Sequence, residues 1–206
     1  MPGALHLEGG SSASIGMRPV LIIIDMQEHF RDGMAERILP QLNSLIDACR
    51  RLGVPIIFTQ HGHPDPVAEE RSSVLVRWWG ADGSIRLGSP AWELLPELYR
   101  LPDDPVIQSK RTYDAFQGTE LLGLLEERGC DTLVVGGVMT NLCCETTARS
   151  AFTEGFSVLF LSDGTATANK RMHDASLLNL GYGFAHIMTC SQAAAALAAA
   201  VEGERQ

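Results

Sequence analysis

Positive charge is scarce in this chain: 16 Lys and Arg face 25 Asp and Glu, for a formal net charge of −9. Such a balance repels phosphate backbones and anionic lipid, so neither nucleic acid nor a membrane surface is an expected partner. A small neutral molecule meets no such barrier. Long apolar runs are missing too; none approaches the roughly 20 residues that span a bilayer. The opening MPGALHLEGGSSASIGM (1–17) has no basic start followed by an apolar core. It reads as a Gly/Ser-rich flexible tail and not as a secretory signal. Pairing signals for cysteine are absent: Cys49, Cys130, Cys143, Cys144 and Cys190 make an odd set without a CxxC. A disulfide framework is therefore not expected, and a reducing cytoplasm is. With no internal repeat in view, residues 18–206 read as a single domain with enough chain for one packed core.

What the chain does contain is alternation. Apolar runs near 19–25, 55–59, 105–108, 132–136, 157–162 and 185–189 read as strands. Segments of helical period fall between them, at about 37–52, 118–128, 141–154, 170–180 and 191–201. Three of these helices stop at a glycine (Gly53, Gly129, Gly155), the expected C-terminal signal. Strands that are apolar throughout and alternate with helices predict a parallel sheet covered on both faces, a three-layer α/β/α fold. Cys49 on an apolar helix phase and Cys190 at a strand end read as core fillers. The stretch 60–104 breaks the rhythm. It is long for a strand-to-helix connection and carries His61, His63, Trp78 and Trp79, so it reads as a pocket wall and an oligomer contact.

The run Gly136–Ala151, GGVMTNLCCETTARSA, places a thiol at a strand-to-helix junction. With Thr140 as N-cap, Cys143 falls in the first helical turn, where free N–H groups and the helix dipole favour a thiolate. Strand 19–25 ends in Asp25 (LIIIDMQ), at the carboxyl edge where open α/β sheets bind ligands. Strand 105–108 is followed by Lys110 (VIQSKRTYDAF). Taken singly, Asp25 reads equally as a turn cap and Lys110 as a solvated loop charge. Three reactive groups at three equivalent strand ends are a different matter. Cys144 points about 100° away from Cys143 on a helix and belongs to the core.

DMQ, a Lys before YDAF, GVMTNLC and a downstream SDGTATA, in that order, resemble the isochorismatase-like cysteine hydrolase superfamily over about Pro19–Gln192. The blocks GVMTNLCCETTARSAF and SDGTATANKRMHDASLLNLGYGFA are most similar to its plant-type nicotinamidases. The resemblance implies a six-stranded parallel, Rossmann-like sheet in the order 3-2-1-4-5-6. It also implies a cis peptide between Val138 and Met139, and often a homo-oligomer. Cys143 would attack an amide carbonyl, Asp25 would move the proton, and Lys110 would supply fixed positive charge. Backbone N–H groups of Met139 and Cys143 would hold the oxyanion. In that strand order Lys110 must span roughly 10 Å to reach its partners, which a long side chain on a curling loop can do.

For the substrate, Phe30, Trp79, Tyr113 and Phe116 are the candidate aromatic wall, though each also reads as an ordinary core aromatic. Gln27 stands close enough to the acid to help position it. Microbial relatives carry Asp-x-His and a second His that bind a metal; here TQHGHPDPV supplies only His61 and His63, a two-ligand set, so no cofactor is expected. Nicotinamide, giving nicotinate and ammonia, is the first expected substrate. A ureido or carbamoyl compound would use the same three residues. Isochorismatase chemistry is a further reading, against which Cys143 stands, because those relatives have Gly there. A silent binding protein is the remaining one.

Overall fold

The computed structural model describes residues 17–203. The expected tail lies outside these residues except for Met17, which packs against the core. Six strands form one parallel sheet: β1 (Pro19–Ile24), β2 (Ile56–Thr59), β3 (Val106–Ile107), β4 (Thr132–Val138), β5 (Ser157–Ala166) and β6 (His186–Met188). Their order is β3-β2-β1-β4-β5-β6, so the chain winds outward from β1 in one direction and then from β4 in the other. Every strand pair is parallel. The reversal of winding falls between β1 and β4, where side chains at the strand ends face an open crevice.

β1 shows why the sheet must be covered twice. Its six residues, PVLIII, are all buried. Leu21 and Ile23 project into a core shared with α1 (Glu36–Leu52) and α7 (Cys190–Gly203). Val20, Ile22 and Ile24 project into the opposite core, under α4 (Leu121–Glu127), α5 (Glu145–Thr153) and α6 (Lys170–Gly183). That is the period of two expected of a strand without a wet face. α1 buries Ile38, Leu42, Leu45, Ile46 and Cys49, one stripe at helical spacing. It ends where Gly53 turns left-handed at φ +74°.

Several boundaries differ from the sequence reading. β5 runs to Ala166, four residues past the apolar run, because Thr165 and Ala166 still pair with Gly137 and Val138. β3 is only two residues long, an edge strand held on one side. The stretch 60–104 is not all loop: it holds two short helices, α2 (Pro66–Glu69) and α3 (Val74–Trp79). Asp65 and Ser73 cap them through hydrogen bonds from the amides of Ala68 and Val76. Cys190 begins α7 and does not end a strand, and its side chain is buried as expected.

The paired glycines at the end of β4 are where backbone meets backbone. Gly137 sits at φ +117°, and a Cβ there would lie 2.0 Å from the carbonyl oxygen of Ile24. Neither strand can retreat without breaking the central pairing. Gly137→Ala should therefore cost about 3 kcal/mol or more of unfolding free energy, read from urea denaturation. A cost near that of a surface substitution would contradict this packing.

Candidate active site

β1 ends with a sharp change of direction. Asp25 adopts φ +48°, and the amide of Gln27 donates to the Asp25 carbonyl across 2.7 Å, closing a three-residue turn. The turn leaves the Asp25 carboxylate fully buried at the sheet edge. Thr59, at the end of β2, donates its hydroxyl to Asp25 Oδ1 over 2.5 Å. Lys110 follows β3 and is also fully buried. Its Nζ donates to Asp25 Oδ2 at 2.6 Å and lies 3.3 Å from Cys143 Sγ. The long side chain thus covers the strands between, and one ammonium touches both acid and thiol.

Cys143 stands in a wide π-helical turn, Thr140–Cys144, that leads from β4 into α5. The expected cap is displaced by one residue. Met139 occupies the capping position in extended geometry, while Thr140 turns its hydroxyl to His173 Nδ1 at 3.0 Å. The Val138–Met139 peptide is cis. The Met139 carbonyl accepts from the amides of Leu142 and Cys144. Cys144 is fully buried in the core beside Ala148 and Ala151.

Electrostatics here are set by burial. Loss of water drives Asp25 upward, but the Lys110 charge and the Lys110 and Thr59 hydrogen bonds outweigh it, so the carboxyl ionises below its ordinary range. Lys110 is held above its ordinary range: burial opposes the charge, and Asp25 more than restores it. Cys143 goes the other way from the sequence reading. Burial pushes its thiol up to about 12; Lys110 pulls down, but the Asp25 carboxylate pushes up again. An ammonium already matched by a carboxylate has little attraction left for a thiolate. Alkylation of Cys143 by iodoacetamide in the resting protein should therefore keep rising between about pH 7 and pH 10. A plateau below neutral pH would show a pre-formed thiolate instead.

Cys143 forms part of the floor of a cavity of about 300 Å³. Phe30, Trp79 and Tyr113 line it, as do Met34, Leu75, Ile85, Met139 and Leu142. Trp79 Nε1 donates to the Tyr113 hydroxyl over 2.8 Å, which ties α3 to the loop after Lys110. Phe116, expected in the wall, and Gln27, expected beside the acid, do not line the cavity. Phe116 packs into the core with its ring 6.1 Å from that of Phe156. Gln27 is fully buried outside the cavity, with its amide spent on the backbone of His61 and on the carbonyl of Trp92. The structure also brings in His61, which the sequence offered as a weak metal-ligand candidate within the expected pocket wall. Its position two residues past the end of β2 was the available signal.

His61 and His63, the two candidate metal ligands, stand next to one another. Their rings meet edge to face at 5.1 Å, and His63 Nδ1 is engaged by Glu69 at 2.7 Å. Among the described residues no three His, Cys, Asp or Glu side chains converge as a ligand set.

A doubly wound parallel sheet with a sequestered thiol, ammonium and carboxylate at its switch point, beside an apolar cavity, defines an α/β protein built around one small-molecule site. Residues 19–192 match the isochorismatase domain, and the chain belongs to that family. Nicotinamidase 3 of Arabidopsis thaliana is 44% identical over 175 residues, covering 84% of this chain and 85% of that protein. The isochorismatase of Bacillus subtilis is 29% identical over 167 residues, which are 78% of this chain and 52% of that protein. A cysteine hydrolase from Pseudomonas syringae pv. phaseolicola superposes with a TM-score of 0.81 at 24% identity, over 89% of this chain and 93% of that one. At that identity the likeness speaks for the fold.

Proposed function

We propose that the protein is a cysteine-dependent amidohydrolase for a small uncharged amide, with nicotinamide as substrate. The observation that carries this reading is the Lys110 ammonium, 2.6 Å from Asp25 and 3.3 Å from Cys143, beneath a cavity wide enough for one aromatic ring. The 44% identity to a protein named as a nicotinamidase supports the choice of amide.

With the thiol protonated at rest, attack and deprotonation are coupled. Cys143 Sγ bonds to the amide carbon as its proton passes to Asp25. The carbonyl oxygen takes up the electron pair and is held by the backbone N–H groups of Met139 and Cys143. Collapse of the adduct breaks the carbon–nitrogen bond, Asp25 returns the proton to nitrogen, and ammonia leaves. An acyl-thioester remains on Cys143. Water then adds to the thioester carbon while Asp25 accepts one of its protons. Collapse breaks the carbon–sulfur bond, Asp25 passes that proton to sulfur, and the carboxylic acid leaves with the thiol restored. Lys110 keeps Asp25 ionised between these transfers, so the base is ready at neutral pH. Gln27 and Phe116 have no place in this scheme as substrate contacts.

The reading further takes the protein as a cytoplasmic homo-oligomer without nucleic-acid or membrane partners. Five free cysteines suit a reducing compartment, and Trp78, 77% exposed on α3, supplies an apolar contact between copies. Among the described residues no helix is long and apolar enough to cross a membrane.

Ammonia release should be measured over nicotinamide, pyrazinamide, a carbamoyl amino acid and ureidoacrylate. Fastest release from the two heteroaromatic amides, undiminished by a chelator, is the expected result. Release from the ureido compounds alone would keep the chemistry and discard the substrate.

A further inference from the structure

The segment ANKRMHDASLLNL (168–180) stands out in the sequence, yet no step of the proposed chemistry uses it. Most of it forms α6, which joins β5 to β6. It thus belongs to the half of the sheet beyond β4, away from the strands that deliver Asp25 and Lys110. Two of its polar side chains, His173 and Ser176, are three residues apart and share one helical face. Both reach the turn that carries Cys143. Thr140, which opens the turn and is fully buried, meets His173 Nδ1 through its hydroxyl at 3.0 Å. Glu145, the first residue after the turn, accepts at Oε2 from the Ser176 hydroxyl over 2.5 Å. One helix therefore grips Thr140–Cys144 at both ends.

Isolated π-helical turns are rare and recur at functional sites. This one is held by more than its own backbone. Thr167, just past β5, donates its hydroxyl to Asn141 Oδ1 over 2.5 Å, and its carbonyl accepts from Arg37 of α1 at 3.2 Å. Arg149 donates twice to the other Glu145 oxygen, at 3.0 and 2.7 Å. Thr140, Thr167 and Ser176 are each at most 2% exposed, so bulk water cannot replace a lost partner. A buried network with its bonds made is rigid, and one with a bond removed is costly. None of His173, Ser176 and Thr167 lines the cavity. Their only visible work is on the turn.

We propose that His173 and Ser176 are positioning residues for the nucleophile turn: they hold Cys143 against Lys110 and aim the Met139 and Cys143 amides at the oxyanion. The proposal rests on the amide-hydrolase reading and adds to it the element that keeps the reacting atoms in place. Lys110 approaches the sulfur to 3.3 Å from the β3 side, and α6 fixes the turn from the other. A displacement of about 1 Å there lowers the rate on the order of 100-fold. It leaves the apolar walls, and so the binding of the intact amide, as they are. The loss therefore falls on kcat and not on KM.

The test is kcat and KM for nicotinamide, with urea unfolding alongside, for the full chain and for His173→Phe, His173→Asn and Ser176→Ala. His173→Phe keeps a flat ring but has no atom to meet Thr140. Its kcat should fall roughly 10- to 100-fold with KM within about twofold of the parent. His173→Asn, which sets a carbonyl and an N–H near the place of Nδ1, should recover most of that loss. Ser176→Ala should lower kcat in the same sense. A merely structural role would lower the urea midpoints and leave the kcat of folded protein at the parental value, and that result overturns the proposal. So does an equal loss in His173→Phe and His173→Asn, or a rise in KM with kcat unchanged; each leaves the hydrolase reading intact. A full chain that turns over no amide removes both.

Discussion

Cys143→Ala protein should release ammonia from nicotinamide on the order of 10⁴-fold more slowly than the unaltered chain, while still binding the amide with little loss. The two halves of this expectation come from different features. Turnover goes because the acyl group has lost its thiol, and Cys144, next in sequence, cannot substitute: it is sealed in the core with its thiol pushed well up by burial. Binding stays because the cavity is walled by Phe30, Met34, Leu75, Trp79 and Tyr113, none of which depends on the sulfur. Steady-state ammonia release reads the first and calorimetric titration of the variant reads the second. Retained turnover would show that the thiol is not the nucleophile.

Lys110→Met should damage both activity and stability, for one electrostatic reason. The Lys110–Asp25 pair is fully buried on both sides. Removing the ammonium leaves a carboxylate with no water and no counter-charge, which costs about 3–5 kcal/mol at neutral pH. Asp25 can escape that cost only by taking up a proton. Burial already pushes it upward, and without Lys110 that push is opposed only by the Thr59 hydrogen bond and His61. Its folded pKa then passes above the unfolded value. The sign of the pH dependence reverses accordingly. In the unaltered chain, Asp25 is depressed in the fold, so its contribution is present above the unfolded pKa and lost on acidification through the folded one. In Lys110→Met the penalty is absent at acid pH and grows as pH rises. Urea denaturation at about pH 5 and pH 8 should thus show a gap between variant and parent that widens with pH. Activity at neutral pH should fall at least a thousandfold, on the order seen when an essential proton-transfer group is lost, because Asp25 is no longer an ionised base. A stable, active variant would mean that the ammonium is ornamental.

Much of this architecture is written in local sequence signals, and the exceptions have physical causes. LIIID, VIQSK and LVVGG each end a buried strand, and parallel strands all point one way. Their terminal residues therefore gather at one edge, and Asp25, Lys110 and Cys143 meet there. Glycines 53, 129 and 155 stop helices because each takes positive φ, a preference that belongs to the residue itself. What local signals do not carry is the sum over tertiary neighbours. A helix start and a nearby lysine argue for a thiolate at Cys143, but full burial and the Asp25 carboxylate reverse the balance. Phe116 and Tyr113 are three residues apart on one loop and both pack against the core, yet only Tyr113 also reaches the cavity. Gln27 lies beside the acid in sequence, and only the fold shows that its amide clamps His61 from a neighbouring strand. The helices within 60–104 escaped notice because α2 and α3 are four and six residues long, too short for a periodic pattern.

The claim that joins these observations is a covalent intermediate on Cys143, and mass spectrometry tests it most directly. Protein turning over nicotinamide, quenched in acid within milliseconds and digested, should yield the peptide containing Cys143 heavier by one nicotinoyl group. The adduct should be released by hydroxylamine and be missing from Cys143→Ala. Rapid ammonia release with that peptide unmodified at every quench time, even when water attack is slowed in deuterium oxide, would contradict the account and point to direct addition of water.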